Sequence, residues 1–309
     1  MLETEMIEFI RRTYEMYPPD TGTMTIAEQR TLYDNYAKAF TPALPDGLII
    51  ETTALDSVAG HRIPLRLYRR TNGASQAGTV LYFHGGGYVL GSLDSHEAIT
   101  ARLAADTGMH VVAVDYRLAP EHPAPAAHED CIEVTLAAIN GTLPFARLPA
   151  PLQLVGDSAG GNLAASVAAI LRDRGVAGLA GVVAIYPALG REPALPARDT
   201  EAHAPMLTLA DVHAYRELYW QDREPYAQMT PLDATHFGGL PSTLAIGVEH
   251  DPLRDDARIY VERIRAAGGE ACLWIGEGLV HGCLRALDMS PGVKLLYHKV
   301  CGFLTRPQV

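Results

Sequence analysis

The sequence predicts an α/β fold, a mainly parallel sheet covered by helices on both faces. Three observations carry that reading. Short uninterrupted apolar runs alternate with amphipathic segments, as expected for strands buried on both faces. The chain has 309 residues, 48% of them hydrophobic, which suits one large domain or one domain with an appended part. Within residues 152–161 an apolar run stops at Gly156-Asp157-Ser158-Ala159-Gly160, and a helical pattern begins at once. This G-x-S-x-G pattern places a serine at the apex of a sharp strand-to-helix turn. Alone it is a weak signal in a chain with 28 glycines, but its position between a strand and a helix strengthens it.

Residues 1–45 read as helical, broken at Pro18-Pro19. Thr25 and Glu28 form a capping-box pattern. Tyr33, Tyr36, Ala37 and Phe40 then share one helix face, which either packs on the main body or roofs a pocket. Strands are predicted at 48–54 and 63–68, joined as a hairpin at Ala59-Gly60-His61. The strand 79–83 runs into His84-Gly85-Gly86-Gly87, and Asp94 and Glu97 open a helix. A strand at 111–114, a proline-rich loop and a helix over 126–139 lead to the serine strand. The helix after Ser158 carries Leu163, Val167, Ile170 and Leu171 on one face and stops near Gly175. A strand follows at 182–185. Residues 190–236 break the alternation, with one helix over 209–220. Strands at 243–248 and 272–275 complete a set of eight, and a final helix buries Val293, Leu296, Tyr297 and Val300.

Composition narrows the function classes. A net charge of −11 argues against a phosphate-binding or nucleic-acid surface. No run reaches the roughly 18 apolar residues of a membrane span. The acidic start, Met1-Leu2-Glu3-Thr4-Glu5, lacks a signal-peptide pattern, so a cytoplasmic protein is expected. Cys131, Cys272, Cys283 and Cys301 have no C-x-x-C spacing and read as thiols, not a zinc site.

A serine hydroxyl needs a base to take its proton and a third group to orient that base. Asp251 stands just beyond the strand 243–248, with Glu249 as its nearest rival; Asp255 and Asp256 fit the start of the next helix. Chain order for this turn type leaves His281 and His298 as bases. His298 lies inside the terminal helix, whereas His281 follows the last strand in a loop. An oxyanion would be met by the N–H of Ala159 and by those of Gly86 and Gly87. A glycine triplet also suits a flexible loop or a phosphate cradle, but no G-x-x-x-x-G-K-[ST] occurs. His84 reads as a brace for its loop, and Asp115 and Asp157 as residues that tie loops together.

Five segments carry a family resemblance: His84-Gly85-Gly86-Gly87, the stretch from Asp115-Tyr116-Arg117 to Glu121-His122-Pro123, Gly156-Asp157-Ser158-Ala159-Gly160-Gly161, Asp251-Pro252-Leu253-Arg254-Asp255 and His281-Gly282. On these the chain resembles the bacterial hormone-sensitive-lipase (family IV) esterases of the α/β-hydrolase superfamily. Thr25-Ile26-Ala27-Glu28-Gln29-Arg30 and residues 91–96 are similar to the acetyl-esterase branch. The resemblance implies an eight-stranded α/β-hydrolase domain over 46–189 and 237–309, with a helical cap from 1–45 and 190–236. It implies Ser158, Asp251 and His281 as a triad, with Gly86, Gly87 and Ala159 as the oxyanion hole supported by His84 and Gly85. No cofactor and no metal are expected, and a homodimer through the edge strand near 272–275 is implied. Cys283 departs from the family, where phenylalanine commonly follows the His-Gly pair, and bears on the pocket's shape.

The expected activity is hydrolysis of small esters with short acyl chains, losing rate as His281 protonates. A lipase for longer chains would need a mobile apolar lid, for which Met6, Ile7, Phe9 and Ile10 are candidates. A ligand-binding or regulatory module on the same scaffold is the alternative from a different class.

Overall fold

The computed structural model describes residues 1–71, 78–224 and 227–306. Two N-terminal helices, α1 (Thr4–Met16) and α2 (Ile26–Ala39), precede strands β1 (Leu48–Asp56), β2 (Arg62–Arg70) and β3 (Thr79–Phe83). Then come α3 (Glu97–Thr107), β4 (His110–Val114), α4 (Ala126–Asn140), β5 (Leu152–Asp157), α5 (Ala159–Asp173) and β6 (Leu179–Ile185). Two further helices, α6 (Ala197–Thr200) and α7 (Leu209–Trp220), lead to β7 (Ser242–His250), α8 (Arg254–Ala266), β8 (Ala271–Val280) and α9 (Pro291–Leu304).

The sheet has eight strands in the order β1-β2-β4-β3-β5-β6-β7-β8. The β1–β2 and β2–β4 pairs are antiparallel, and every pair from β4 to β8 is parallel. Alternate side chains of one strand feed two different cores, because successive residues point to opposite faces. Val80 and Tyr82 of β3 and Val111 and Ala113 of β4 pack with α1, α3 and α9. Leu81, Phe83, Val112 and Val114 pack with α4 and α5 on the other face. Both faces are dry, which is why these strands read as unbroken apolar runs. Helix α8 covers the same face as α5 through Ala257, Tyr260, Val261 and Ile264.

The N-terminal helices are tied to the body at several points. The capping box forms, with Thr25 Oγ1 accepting from the Glu28 N–H. Arg30 donates to the carbonyls of Val89 and Ala119 and pairs with Glu121. The Glu3 carboxylate accepts from Ser290 Oγ and from the Gly292 N–H at the start of α9. Met6 and Phe9 are fully buried, so two of the four candidate lid residues are core; Ile7 is exposed.

The segment 190–236 is held by two acids at the start of α8. Asp256, fully buried, accepts from the N–H groups of Leu189 (2.7 Å), Ala194 (2.7 Å) and Gly190 (3.3 Å). Asp255 accepts from the Ala197 N–H at 2.8 Å. Asp255 and Asp256 do open a helix, but their carboxylates reach across to the preceding segment instead of only serving the helix dipole. Replacing Asp256 by alanine strands three donors, the N–H of Leu189 buried and those of Gly190 and Ala194 partly so. Asp256→Ala is expected to lower stability by about 3 kcal/mol or more, read from the shift in urea-unfolding midpoint.

Candidate active site

Ser158, between β5 and α5, has φ +56° and ψ −120°, outside the ordinary regions for a residue with a Cβ. Such a conformation costs on the order of 1–3 kcal/mol and persists only where the surroundings enforce it. Here the close approach of strand and helix enforces it. A Cβ on Gly156 would lie 2.1 Å from the Gly160 oxygen, and one on Gly160 would lie 1.9 Å from the Phe83 oxygen. The Ser158 N–H donates to Ile185 O at 2.8 Å, locking the apex to β6.

His281 stands between the other two candidates. Its Nε2 is 2.8 Å from Ser158 Oγ and its Nδ1 is 2.7 Å from Asp251 Oδ2. Asp251 is fully buried, and its second oxygen accepts from the Leu253 N–H at 2.8 Å. A carboxylate at Nδ1 favours the tautomer with the proton there, leaving the Nε2 lone pair toward the hydroxyl. Tyr186 packs against the imidazole with ring centroids 4.8 Å apart. The rivals go elsewhere. Glu249 accepts from the Gly278 N–H at 2.6 Å, which lowers its pKa, and His298 lies on the exposed face of α9.

The glycine loop faces this trio across one cavity. Gly85 is not a free donor, because its N–H is taken by Asp157 Oδ1 at 3.1 Å. Gly86 and Gly87 adopt φ +118° and +61°, and both line the cavity with Ala159, the first residue of α5. The N–H of a first helical residue has no intrahelical partner. The Gly87 backbone lies so close under Tyr215 of α7 that a Cβ there would meet the ring at 2.4–2.6 Å.

Buried polar groups brace the loop. Asp157 also accepts from Tyr82 OH at 2.7 Å and lies 3.6 Å from His96 Nε2. Burial alone would raise its pKa, but His96, the Tyr82 hydroxyl and Arg285 outweigh that and hold it well below the carboxylate range. His84 meets the Gly85 oxygen through Nδ1 at 2.8 Å, and its backbone oxygen accepts from Tyr116 OH at 2.7 Å. Burial, with His96 adding to it, pushes His84 down to about 3, so its ring stays neutral. The bracing roles expected for Asp157 and His84 match these contacts. Asp115 is pushed up to about 6 by burial first and then by Asp94, while a hydrogen bond from the Leu93 backbone acts against that rise.

One buried chain carried no sequence signal beyond a polar residue in an apolar helix. Asn162 of α5 donates to the carbonyls of Ala188 and Met229. Its Oδ1 is 3.1 Å from His128 Nε2, and His128 Nδ1 is 2.7 Å from Tyr219 OH. Tyr219 stacks on Tyr88 with centroids 4.0 Å apart. Helix α5, which follows Ser158, is thereby joined to α7 and to the glycine loop.

The cavity measures about 300 Å³, and Tyr17, Tyr33, Tyr36, Leu207, Val212 and Tyr215 are among the residues that line it. The tyrosine face of α2 does both things weighed for it. Tyr33 and Tyr36 line the cavity, while Ala37 is core and Phe40 packs on Phe9 at 5.1 Å. Cys283 is fully buried in the adjoining core and does not line the cavity.

Residues 80–285 match the family model described as alpha/beta hydrolase fold. Esterase LipI of Mycobacterium tuberculosis is 37% identical over 256 residues, covering 81% of this chain and 79% of its own. Ethyl acetate hydrolase of Pseudomonas putida is 31% identical over 76% of each chain. The crystal structure of an esterase from the bacterial hormone-sensitive lipase family superposes with a TM-score of 0.86 at 28% identity, covering 99% of this chain and 98% of that one. With a family model over residues 80–285, a relative 37% identical over 81% of the chain and an esterase structure superposing along 99% of it, the chain belongs to the α/β-hydrolase superfamily, as a member of the bacterial hormone-sensitive-lipase (family IV) esterases.

Proposed function

We propose that the protein hydrolyses carboxylic esters with short acyl chains, acetyl to hexanoyl, through an acyl-enzyme on Ser158. One observation carries the reading: the His281 ring spans Asp251 and Ser158 at hydrogen-bonding distance on both sides. In this mechanism Ser158 Oγ attacks the ester carbonyl while His281 Nε2 takes its proton. Asp251 steadies the imidazolium so formed. The N–H groups of Gly86, Gly87 and Ala159 receive the oxyanion, each worth about 2.7–4 kcal/mol. The intermediate collapses as His281 protonates the leaving alcohol. A water then attacks the acyl-enzyme with His281 again as base, and Ser158 is released. Residues 1–45 and 190–236 act together as the cap that bounds the acyl pocket.

The short-chain preference rests on the small cavity and on the similarity to a relative named for ethyl acetate. The longer-chain lipase reading loses ground because Met6 and Phe9 are core. Within the same proposal the enzyme works in the cytoplasm on small-molecule esters. A homodimer would form through β8, an edge strand of the sheet.

Across 4-nitrophenyl esters from acetate to decanoate, kcat/KM is expected to peak at or below hexanoate and then fall. A rise beyond hexanoate would favour a lipase. Ser158→Ala should lower kcat by about 10⁴-fold or more on every ester; a variant with ordinary turnover, or a wild type that binds esters without cleaving them, refutes the hydrolase reading. Gly87→Ala should lower kcat by about 10²-fold or more, because its methyl collides with Tyr215 and shifts a donor out of line. That loss is checked by steady-state kinetics on variant protein shown to be folded by circular dichroism, since the clash and the φ of +61° also lower its unfolding midpoint.

A further inference from the structure

Arg285 lies four positions after His281 in the turn that follows β8, and it lines the same cavity as Ser158. Its guanidinium stacks over the rings of Tyr33 and Tyr36, 5.1 Å from each centroid. It donates to Ser95 O at 2.5 Å and to Tyr33 OH at 3.0 Å. All of these partners are neutral. Four arginines that join elements of this fold meet a carboxylate: Arg30 with Glu121, Arg66 with Asp94, Arg102 with Asp288, Arg117 with Asp130. Arg70 and Arg263 donate to carbonyls as Arg285 does, but neither lines the cavity. Arg285 has no such ion pair among the described residues. Asp157 attracts it from a distance, but that carboxylate is committed to Tyr82, Gly85 and His96.

A guanidinium has five N–H donors, and two are used here. A cation withdrawn from water without an ionic partner is costly, and a planar fork with spare donors matches a carboxylate. The wall beside it adds two more neutral polar groups. The hydroxyls of Thr13 and Tyr17 are buried in the cavity wall, with no close hydrogen-bond partner among the described residues and only the Tyr36 and Tyr215 hydroxyls near them. Tyr17 packs against Tyr33 and Tyr36, the two rings that hold Arg285. An acyl chain makes no use of a cation and two hydroxyls on one wall.

We propose that Arg285, with Tyr33, Thr13 and Tyr17 around it, forms a carboxylate subsite, so that the favoured substrates are short esters bearing a free carboxylate, such as half-esters of dicarboxylic acids. This rests on the ester-hydrolase reading above and narrows its substrate class. Binding energy from the carboxylate holds the ester in register with Ser158, which a neutral ester of the same length lacks.

The test compares two matched pairs. Mono-4-nitrophenyl glutarate against 4-nitrophenyl pentanoate places the charge on the acyl arm. 4-Acetoxybutanoate against butyl acetate places it on the alcohol arm. The wild type is expected to prefer the charged member of at least one pair by about tenfold or more in kcat/KM, mainly through KM. In Arg285→Gln that ratio should fall to about one, and in Arg285→Lys, which keeps the charge without the fork, it should be intermediate. The lysine variant carries the test if the glutamine variant does not fold. A wild type that cleaves neutral esters with no preference in either pair overturns the subsite and leaves the hydrolase reading standing. A ratio in Arg285→Gln or Arg285→Lys equal to that of the wild type also overturns it. Failure to cleave any of the four esters overturns both readings.

Discussion

The site depends on one point of close approach, where β3, β5 and the start of α5 meet with no room for a methyl group between them. Gly156 and Gly160 are the residues that permit it, and the Phe83 and Gly160 oxygens are what a Cβ would strike. This contact forces Ser158 out of the β region and lifts its hydroxyl clear of the sheet. Everything else in the site is arranged around that fixed position. His281 and Asp251 are delivered by loops after β8 and β7, at the same edge of the sheet, because parallel strands end their C-terminal loops on one side. The strain at the serine is thus sustained by a packing contact that no single side chain could replace.

The glycine loop is held by a second arrangement, in which charge and hydrogen bonding act together. Asp157 sits next to the serine in sequence yet faces away from it, accepting from Gly85 and Tyr82. Its ionised form is sustained by His96 and by the field of Arg285. One carboxylate therefore fixes the register between the serine turn and the loop that carries Gly86 and Gly87. The Ser158 hydroxyl and the backbone of Gly86 and Gly87 would otherwise drift relative to each other, since they follow neighbouring strands of the sheet.

Much of this was legible in the residues themselves. The strands could be read because burial on both faces leaves no polar residue to interrupt them. The serine turn and the glycine loop could be read because their geometry demands glycine. Asp251 and His281 emerged from chain order and from lying just past strand ends. What stayed hidden depends on contacts between distant segments. Asp256 looked like an ordinary helix-opening acid, and only the fold brings Leu189, Gly190 and Ala194 to it. Nothing local marks His128 as the link between Asn162 and Tyr219. The α2 tyrosines were ambiguous for a physical reason: Tyr36 is buried and bounds the cavity at once, so neither description excludes the other.

The buried chain from Asn162 through His128 to Tyr219 bears on how molecules reach the serine. A helix riveted in this way, and stacked on Tyr88 besides, cannot swing outward without exposing three polar side chains and parting two aromatic rings. Opening on that side carries the cost of breaking this chain, so passage that leaves it intact would fall to rotation of individual rings, motions of picoseconds to nanoseconds. An enzyme gated in this manner admits slender molecules quickly and turns away bulky ones by shape alone.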